Sequence, residues 1–412
     1  MSTLRTITRR SALAVGASVL AIATVAAPTV AFAEPASTSG TRTYQISGSD
    51  TIQDVLNGIT TGYSTFGSFQ SNLDSWNAFS SNSPDTITPK SGGATLGRPH
   101  GSGDGVKALS ASWSTTNAVF AQTVSGVTTN YTLQQGGTHE LDFARSSSKP
   151  GTAVVAGSAN DKLTFVPFAR DAVTPVIQDP AGGVNYSAVN GLTIDQLKAI
   201  FGTGSSADGV ISSTTTGGVT TVYYNTGGTA LALKPVLPQA SSGTRSFFLS
   251  AIGVTTPGAW VSQGVNENDA SALNTEGQIA PFSAAQWIAQ KNGFGGNTFT
   301  GTNSSTLRLA SFNNGSTSDF AATASGSTWS PNTAVYGSNS AVPTSTSYPL
   351  ARDTYIVVPT ANYTGSVKTL VDNLGQKTHG VSPAVYVVQD YGFLRLNYGT
   401  GGTGQLHSNW TN

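Results

Sequence analysis

Along most of the chain, short runs of strand-like residues alternate with segments whose apolar positions recur at helical spacing. That alternation constrains the fold more than any other feature of the sequence. Residues 42–46, 141–144, 163–168, 220–224, 278–283, 307–312 and 348–358 read as strands. Between them, Ile52, Val55, Leu56 and Ile59 form one helical face, and Ile194, Leu197, Ile200 and Phe201 form another behind a Thr193 cap. Phe247, Phe248, Ala251 and Ile252 form a third, and further helices are expected at 284–290 and 367–374. Strands alternating with helices call for an α/β class with largely parallel sheets. In such sheets a ligand sits beyond the carboxyl ends of strands, where the next helix begins.

Hydroxyl-rich turns stand at those positions. Gly48-Ser49-Asp50-Thr51, Gly101-Ser102-Gly103-Asp104-Gly105 and Ser241-Ser242-Gly243-Thr244-Arg245 each run into an expected helix, the first with Asp50 or Thr51 as its N-cap. A helix start carries free backbone N–H groups and the positive end of the macrodipole. Glycine lets an anion approach the backbone, and serine and threonine add O–H donors. If the turns converge they form a cage for a small oxyanion, which points to binding rather than catalysis. Taken singly, each turn is equally an ordinary helix cap without a ligand.

The first residues read as an export signal. Arg5, Arg9 and Arg10 precede an apolar run from Ser11 to Val30, and Ala31-Phe32-Ala33 forms a small-residue cleavage site before Glu34. Thr8-Arg9-Arg10-Ser11-Ala12-Leu13 also resembles a twin-arginine signal, so both export routes stay open. Residues 34–42 read as a flexible leader. The chain has no cysteine, which excludes a lipid anchor on that residue and leaves an expected secreted, extracytoplasmic protein. Beyond Ala33 it carries 17 basic against 20 acidic residues, a net charge of −3. No basic face for nucleic acid is expected from that balance.

The chemistry of other classes finds little support. The histidines at 100, 139, 379 and 407 lack metal-ligand spacing, no Gly-x-Ser-x-Gly elbow is present, and no cofactor is expected. Nothing signals oligomerisation, and a monomer is expected. The triplet Ala169-Arg170-Asp171 recurs once, as Ala351-Arg352-Asp353. Both arginines read as structural, paired with neighbouring aspartates or spanning between lobes.

Six segments in order carry a resemblance to a known family: Ile46-Ser47-Gly48-Ser49-Asp50-Thr51, Gly101-Ser102-Gly103-Asp104-Gly105-Val106-Lys107, Leu141-Asp142-Phe143-Ala144-Arg145-Ser146-Ser147, Leu192-Thr193-Ile194-Asp195-Gln196-Leu197, Ser242-Gly243-Thr244-Arg245 and Tyr348-Pro349. The chain resembles the substrate-binding component of phosphate ABC transporters, within the type II periplasmic-binding-protein superfamily. The resemblance implies two α/β lobes joined by crossover hinge strands. Lobe one would comprise 43–160 plus 348–412 and lobe two 161–347, with phosphate or a related oxyanion clamped between them for an ABC permease. It implies phosphate contacts from Ser49, Asp50, Thr51, Ser102, Ser147, Ser242, Gly243 and Thr244. The family's aspartate is Ser147 here, and its arginine four residues before the Ser-Gly-Thr turn is Pro238. The cation then falls to Arg145 or Arg245, and the proton acceptor to Asp50. A serine in place of that aspartate would relax discrimination against sulfate. Two other functions remain open on this resemblance: a secreted phosphatase, and a surface protein that keeps the fold without transport.

Overall fold

The structure is a computed structural model that describes residues 40–410, except 64–65, 80–84, 117, 134–138, 181–185, 226, 300–302, 314, 316–317, 338–347, 381–383 and 398–403. The expected export signal and residues 34–39 of the leader lie outside the described residues.

A single long sheet runs through the molecule. Its central path is 73–75, 44–48, 143–146, 351–359, 163–178, 278–283, 230–238, 219–225 and 211–216. The 16-residue strand Leu163–Gln178 is buried along its whole length. Its first half pairs antiparallel with Ala351–Pro359, and its second half with Gln278–Ser283 and Leu307–Leu309. It therefore belongs to the cores on both sides. One side packs around Ile46, Phe143 and Ile356, and around Trp76, Leu109 and Phe165. The other packs around Phe201, Phe248 and Ile279, and around Phe282 and Trp287. This is a two-lobed α/β fold with Leu163–Gln178 and Ala351–Pro359 as its crossover strands.

The sheet is mixed rather than largely parallel. Parallel pairing joins Tyr44–Gly48 to Leu73–Ser75 and to Phe143–Ser146, and Ala230–Pro238 to Gln278–Ser283. The crossover strands run in opposite directions between the lobes, so they pair antiparallel. The Ile211–Thr216 and Val219–Asn225 strands are joined by two residues, too few for a parallel crossover.

The expected helices form with shifted ends. Helix α1 is Gln53–Thr61, α2 is Ser102–Trp113, α3 is Ile194–Lys198, α4 is Gly243–Ala251 and α5 is Ala284–Asn292. Thr193 caps α3 through a full capping box with Gln196, and Ser242 and Ser283 cap α4 and α5. The cap expected at Asp50 or Thr51 does not form. The N-cap position of α1 is Ile52 and makes no side-chain bond, because both of those side chains are engaged elsewhere.

Helix α1 also carries a buried acid. Burial pushes the Asp54 carboxyl up from 3.8 to about 6, against bonds from Gln53 and the Gly296 amide that favour its charge. A carboxyl that holds its proton more tightly in the folded chain lowers stability as pH rises between those two values. Asp54→Asn removes that penalty. We expect it to stabilise the protein by up to about 3 kcal/mol at pH 7.5, following from 1.36 kcal/mol per pKa unit, and to have little effect at pH 4. Urea unfolding of both proteins at the two pH values measures the difference; equal stabilities at pH 7.5 would contradict it.

Candidate functional site

The turn at Gly48 is built by close backbone approach. Gly48 has φ +124°, and a Cβ at Gly105 would stand 2.6 Å from the Gly48 Cα. Two glycines thus bring the start of α2 against the end of strand Tyr44–Gly48. Phe143–Ser146 pairs beside that strand, which sets Ser147 next to both turns. The Ser49 hydroxyl donates to the Ser147 hydroxyl at 3.0 Å, the Ser102 and Ser147 hydroxyls lie 3.2 Å apart, and the Ser147 amide donates to Ser102 Oγ at 2.9 Å.

The α4 turn meets them from the other lobe. The Gly103 amide donates to the Ser241 carbonyl at 3.1 Å, and Ser241 Oγ donates to the His100 carbonyl at 3.0 Å. A Cβ added at Gly243 would stand 2.2 Å from Ser102 Oγ and 2.3 Å from Ser147 Oγ. Thr244 lies 3.3 Å from Thr51, hydroxyl to hydroxyl. A groove of about 460 Å³ follows this seam, lined by Asp104, Lys107, Ser148, Ser242 and Gly243 among others. Three turns that are distant in sequence therefore share one buried locus.

The cations named from sequence lie elsewhere. The Arg145 guanidinium is fully buried and donates to the carbonyls of Ser49 (2.8 Å), Gly48 (3.2 Å) and Trp76 (2.6 Å) and to Ser75 Oγ (2.9 Å). It holds the first turn from behind. Arg245 extends along the outside of α4, donating to the Pro238 carbonyl at 2.8 Å and to the Gln263 side chain. Ser242 Oγ serves as the α4 cap, accepting from the Arg245 amide at 3.0 Å.

The cation at the locus is Arg352. Its Nη2 donates to Thr244 Oγ1 at 2.8 Å and to Thr51 Oγ1 at 3.3 Å. The repeated Ala-Arg-Asp triplets explain how it gets there. They lie opposite each other on the two antiparallel crossover strands, with Arg352 facing Asp171 and Arg170 facing Asp353. Adjacent residues on a strand point to opposite faces. One ion pair, Arg170–Asp353 at 2.9 Å, therefore lies on the far face, and Arg352–Asp171 at 2.8 Å lies on the cleft face. Each arginine pairs across strands and not with the aspartate next to it in sequence. The echo in the sequence was the available signal for Arg352, although it showed no direction.

Two acids complete the locus. Glu267, which no sequence signal marked, accepts at Oε1 from Thr51 Oγ1 (2.7 Å), the Thr244 amide (3.2 Å) and Thr244 Oγ1. Asp50 Oδ2 accepts from Asn268 Nδ2 at 3.1 Å. Burial, reinforced by the neighbouring Glu267 charge, raises the Asp50 carboxyl well above the usual carboxylate range. Asn268 holds a positive φ of 55° and also receives the Ser283 amide at Oδ1 (2.7 Å), tying the acid segment to the start of α5. In chemical terms the locus offers hydroxyls, amides at a helix start and one guanidinium, all suited to an oxyanion. Among the described residues no group of three or more His, Cys, Asp or Glu could hold a metal ion, and no helix is long and apolar enough to cross a membrane.

The chain is similar to several solved structures. The ABC-type phosphate transport receptor of Vibrio cholerae is 15% identical, with 85% of this chain and 99% of that one covered and a TM-score of 0.45. A phosphate-binding protein from Stenotrophomonas maltophilia is 15% identical over 87% of this chain and 91% of its own, with a TM-score of 0.44. PstS from Borrelia burgdorferi is 16% identical over 86% and 98%, with a TM-score of 0.38. No curated protein matches the sequence. The model of the PBP superfamily domain matches residues 34–374, most of the chain. By that match the chain belongs to the PBP (periplasmic-binding-protein) superfamily.

Proposed function

We propose that this chain is an extracytoplasmic solute-binding protein that captures phosphate or a related small oxyanion between its lobes, as a monomer, and delivers it to an ABC-type permease. The observation that carries this reading is the meeting of Ser49, Thr51, Ser102 and Ser147 with Gly243 and Thr244 across the lobes, with Arg352 on two of the hydroxyls. Charge-assisted donors of this kind favour a small anion over a neutral solute. Lobe closure over the ligand follows from the hinge formed by the two crossover strands. Titration calorimetry of the purified protein with phosphate, arsenate and sulfate tests it. Saturable heat at 1:1 is expected for phosphate; no heat with any of the three would remove the reading.

Gly243 supplies a sharper test. An alanine Cβ there drives the Ser102 and Ser147 hydroxyls out of register. Gly243→Ala is therefore expected to weaken phosphate binding at least tenfold, with a modest fall in the unfolding midpoint from the crowding of Ser102 and Ser147, and thermal unfolding checks that the variant is folded. Unchanged affinity would mean that these hydroxyls do not hold the ligand.

Binding without turnover is part of the proposal. A phosphatase needs a general base beside the ester. The ring of His100 sits against Asp85, that of His379 against Asp390, that of His407 against Asp161 and that of His139 against the Ser112 carbonyl, so each imidazole is already engaged by a partner other than Ser242. Hydrolysis of an aryl phosphate faster by the wild type than by Ser242→Ala would favour the enzyme reading.

A further inference from the structure

We propose that Glu267 is an intramolecular stand-in for the ligand: its carboxylate occupies the seat that a ligand oxyanion takes, and binding requires its displacement. The inference rests on the reading of this cleft as an oxyanion site, and goes beyond it by naming the group that competes for it.

The donors around Glu267 Oε1 are those of an anion seat. They are two hydroxyls, Thr51 and Thr244, and the Thr244 amide in the first turn of α4. Arg352 Nη2 stands on the same two hydroxyls. A hydroxyl has one proton to donate. While Thr51 and Thr244 give theirs to Glu267, neither can give it to a ligand. Glu267 is only 3% exposed, so the carboxylate is seated in the site and is not a rim group.

The seat is imperfectly filled. Arg352 Nη1 is buried with no hydrogen-bond partner, and the second oxygens of Glu267 and Asp50 are left with only each other's carboxyl to pair with. Buried polar atoms left without partners carry a desolvation cost. A carboxylate brings two oxygens, whereas a tetrahedral oxyanion brings four and can engage the free Arg352 N–H as well. The stand-in is thus held firmly enough to keep the cleft ordered and loosely enough to be replaced. Glu267 lies between strand Ser262–Val265 and the short helix at Ala270–Ala272, beside Asn268, which is bonded to α5, so displacement is a swing of the Glu267 side chain.

The test is calorimetry with sulfate, which stays fully ionised across the working pH range, and with phosphate, on wild type, Glu267→Ala and Glu267→Gln. Removing the competitor is expected to tighten both ligands at least tenfold in Glu267→Ala and by less in Glu267→Gln, where an oxygen remains to accept. In Glu267→Ala, millimolar acetate is expected to compete with the oxyanion by refilling the seat. Weaker or unchanged affinity in both variants would overturn the proposal, and weaker affinity would make Glu267 a ligand-holding acceptor instead. Thermal unfolding of each variant checks folding, and Glu267→Gln carries the test if the alanine variant does not fold. Absence of binding in all three proteins fails the oxyanion reading itself; an altered affinity of the wrong sign fails only the stand-in.

Discussion

Replacing Arg145 with alanine is expected to cost about 5 kcal/mol of folding stability, estimated from roughly 1–3 kcal/mol for each buried acceptor left unpaired. The carbonyls of Gly48, Ser49 and Trp76 and the Ser75 hydroxyl all lose their donor at once. The site is fully buried, so water does not readily take the guanidinium's place. Such a loss is a large part of the 5–15 kcal/mol typical of a folded protein. Lysine is expected to recover little, because one ammonium cannot reproduce a planar fork that reaches four acceptors. Urea or guanidinium unfolding measures both variants. A midpoint for Arg145→Ala close to wild type would mean that the guanidinium is not what holds the Gly48 turn.

Arg352→Ala is expected to act on stability and binding together. It breaks a pair whose side chains are 2% and 0% exposed and leaves Asp171 charged in the interior, with the Ala285 amide as a remaining donor. Removing one partner of a buried pair typically costs about 3–5 kcal/mol. It also takes the guanidinium off Thr51 and Thr244, so phosphate affinity is expected to fall at least a hundredfold. The double variant Arg352→Met with Asp171→Asn separates the two effects. It removes both charges, so most of the stability should return while binding stays lost. Recovery of binding in the double variant would show that Arg352 supports the fold alone.

The strand and helix alternation, the cap at Thr193 and the hydroxyl-rich helix starts, that of Ser242 among them, were legible from local sequence. Each depends on residues within one or two turns of chain, and short-range sterics and hydrogen bonding decide them. The absence of a cap on α1 was not legible. Thr51 has the right side chain for it, but its hydroxyl is taken by Glu267, 216 residues away. The mixed direction of the sheet was missed for a related reason. The parallel prior comes from strand–helix alternation, whereas the crossover strands pair with each other according to how the lobes are joined.

Local chemistry therefore determined which segments could present donors to an anion. Tertiary structure alone decided which charges face them. Arg145 and Arg245 neighbour the right turns in sequence yet point to backbone carbonyls and to the outside of α4. Arg352 and Glu267, remote in sequence, come to Thr51 and Thr244. A long charged side chain acts several ångströms from its own backbone, so its partner is set by strand register and face, and those are fixed only when the crossover strands pair.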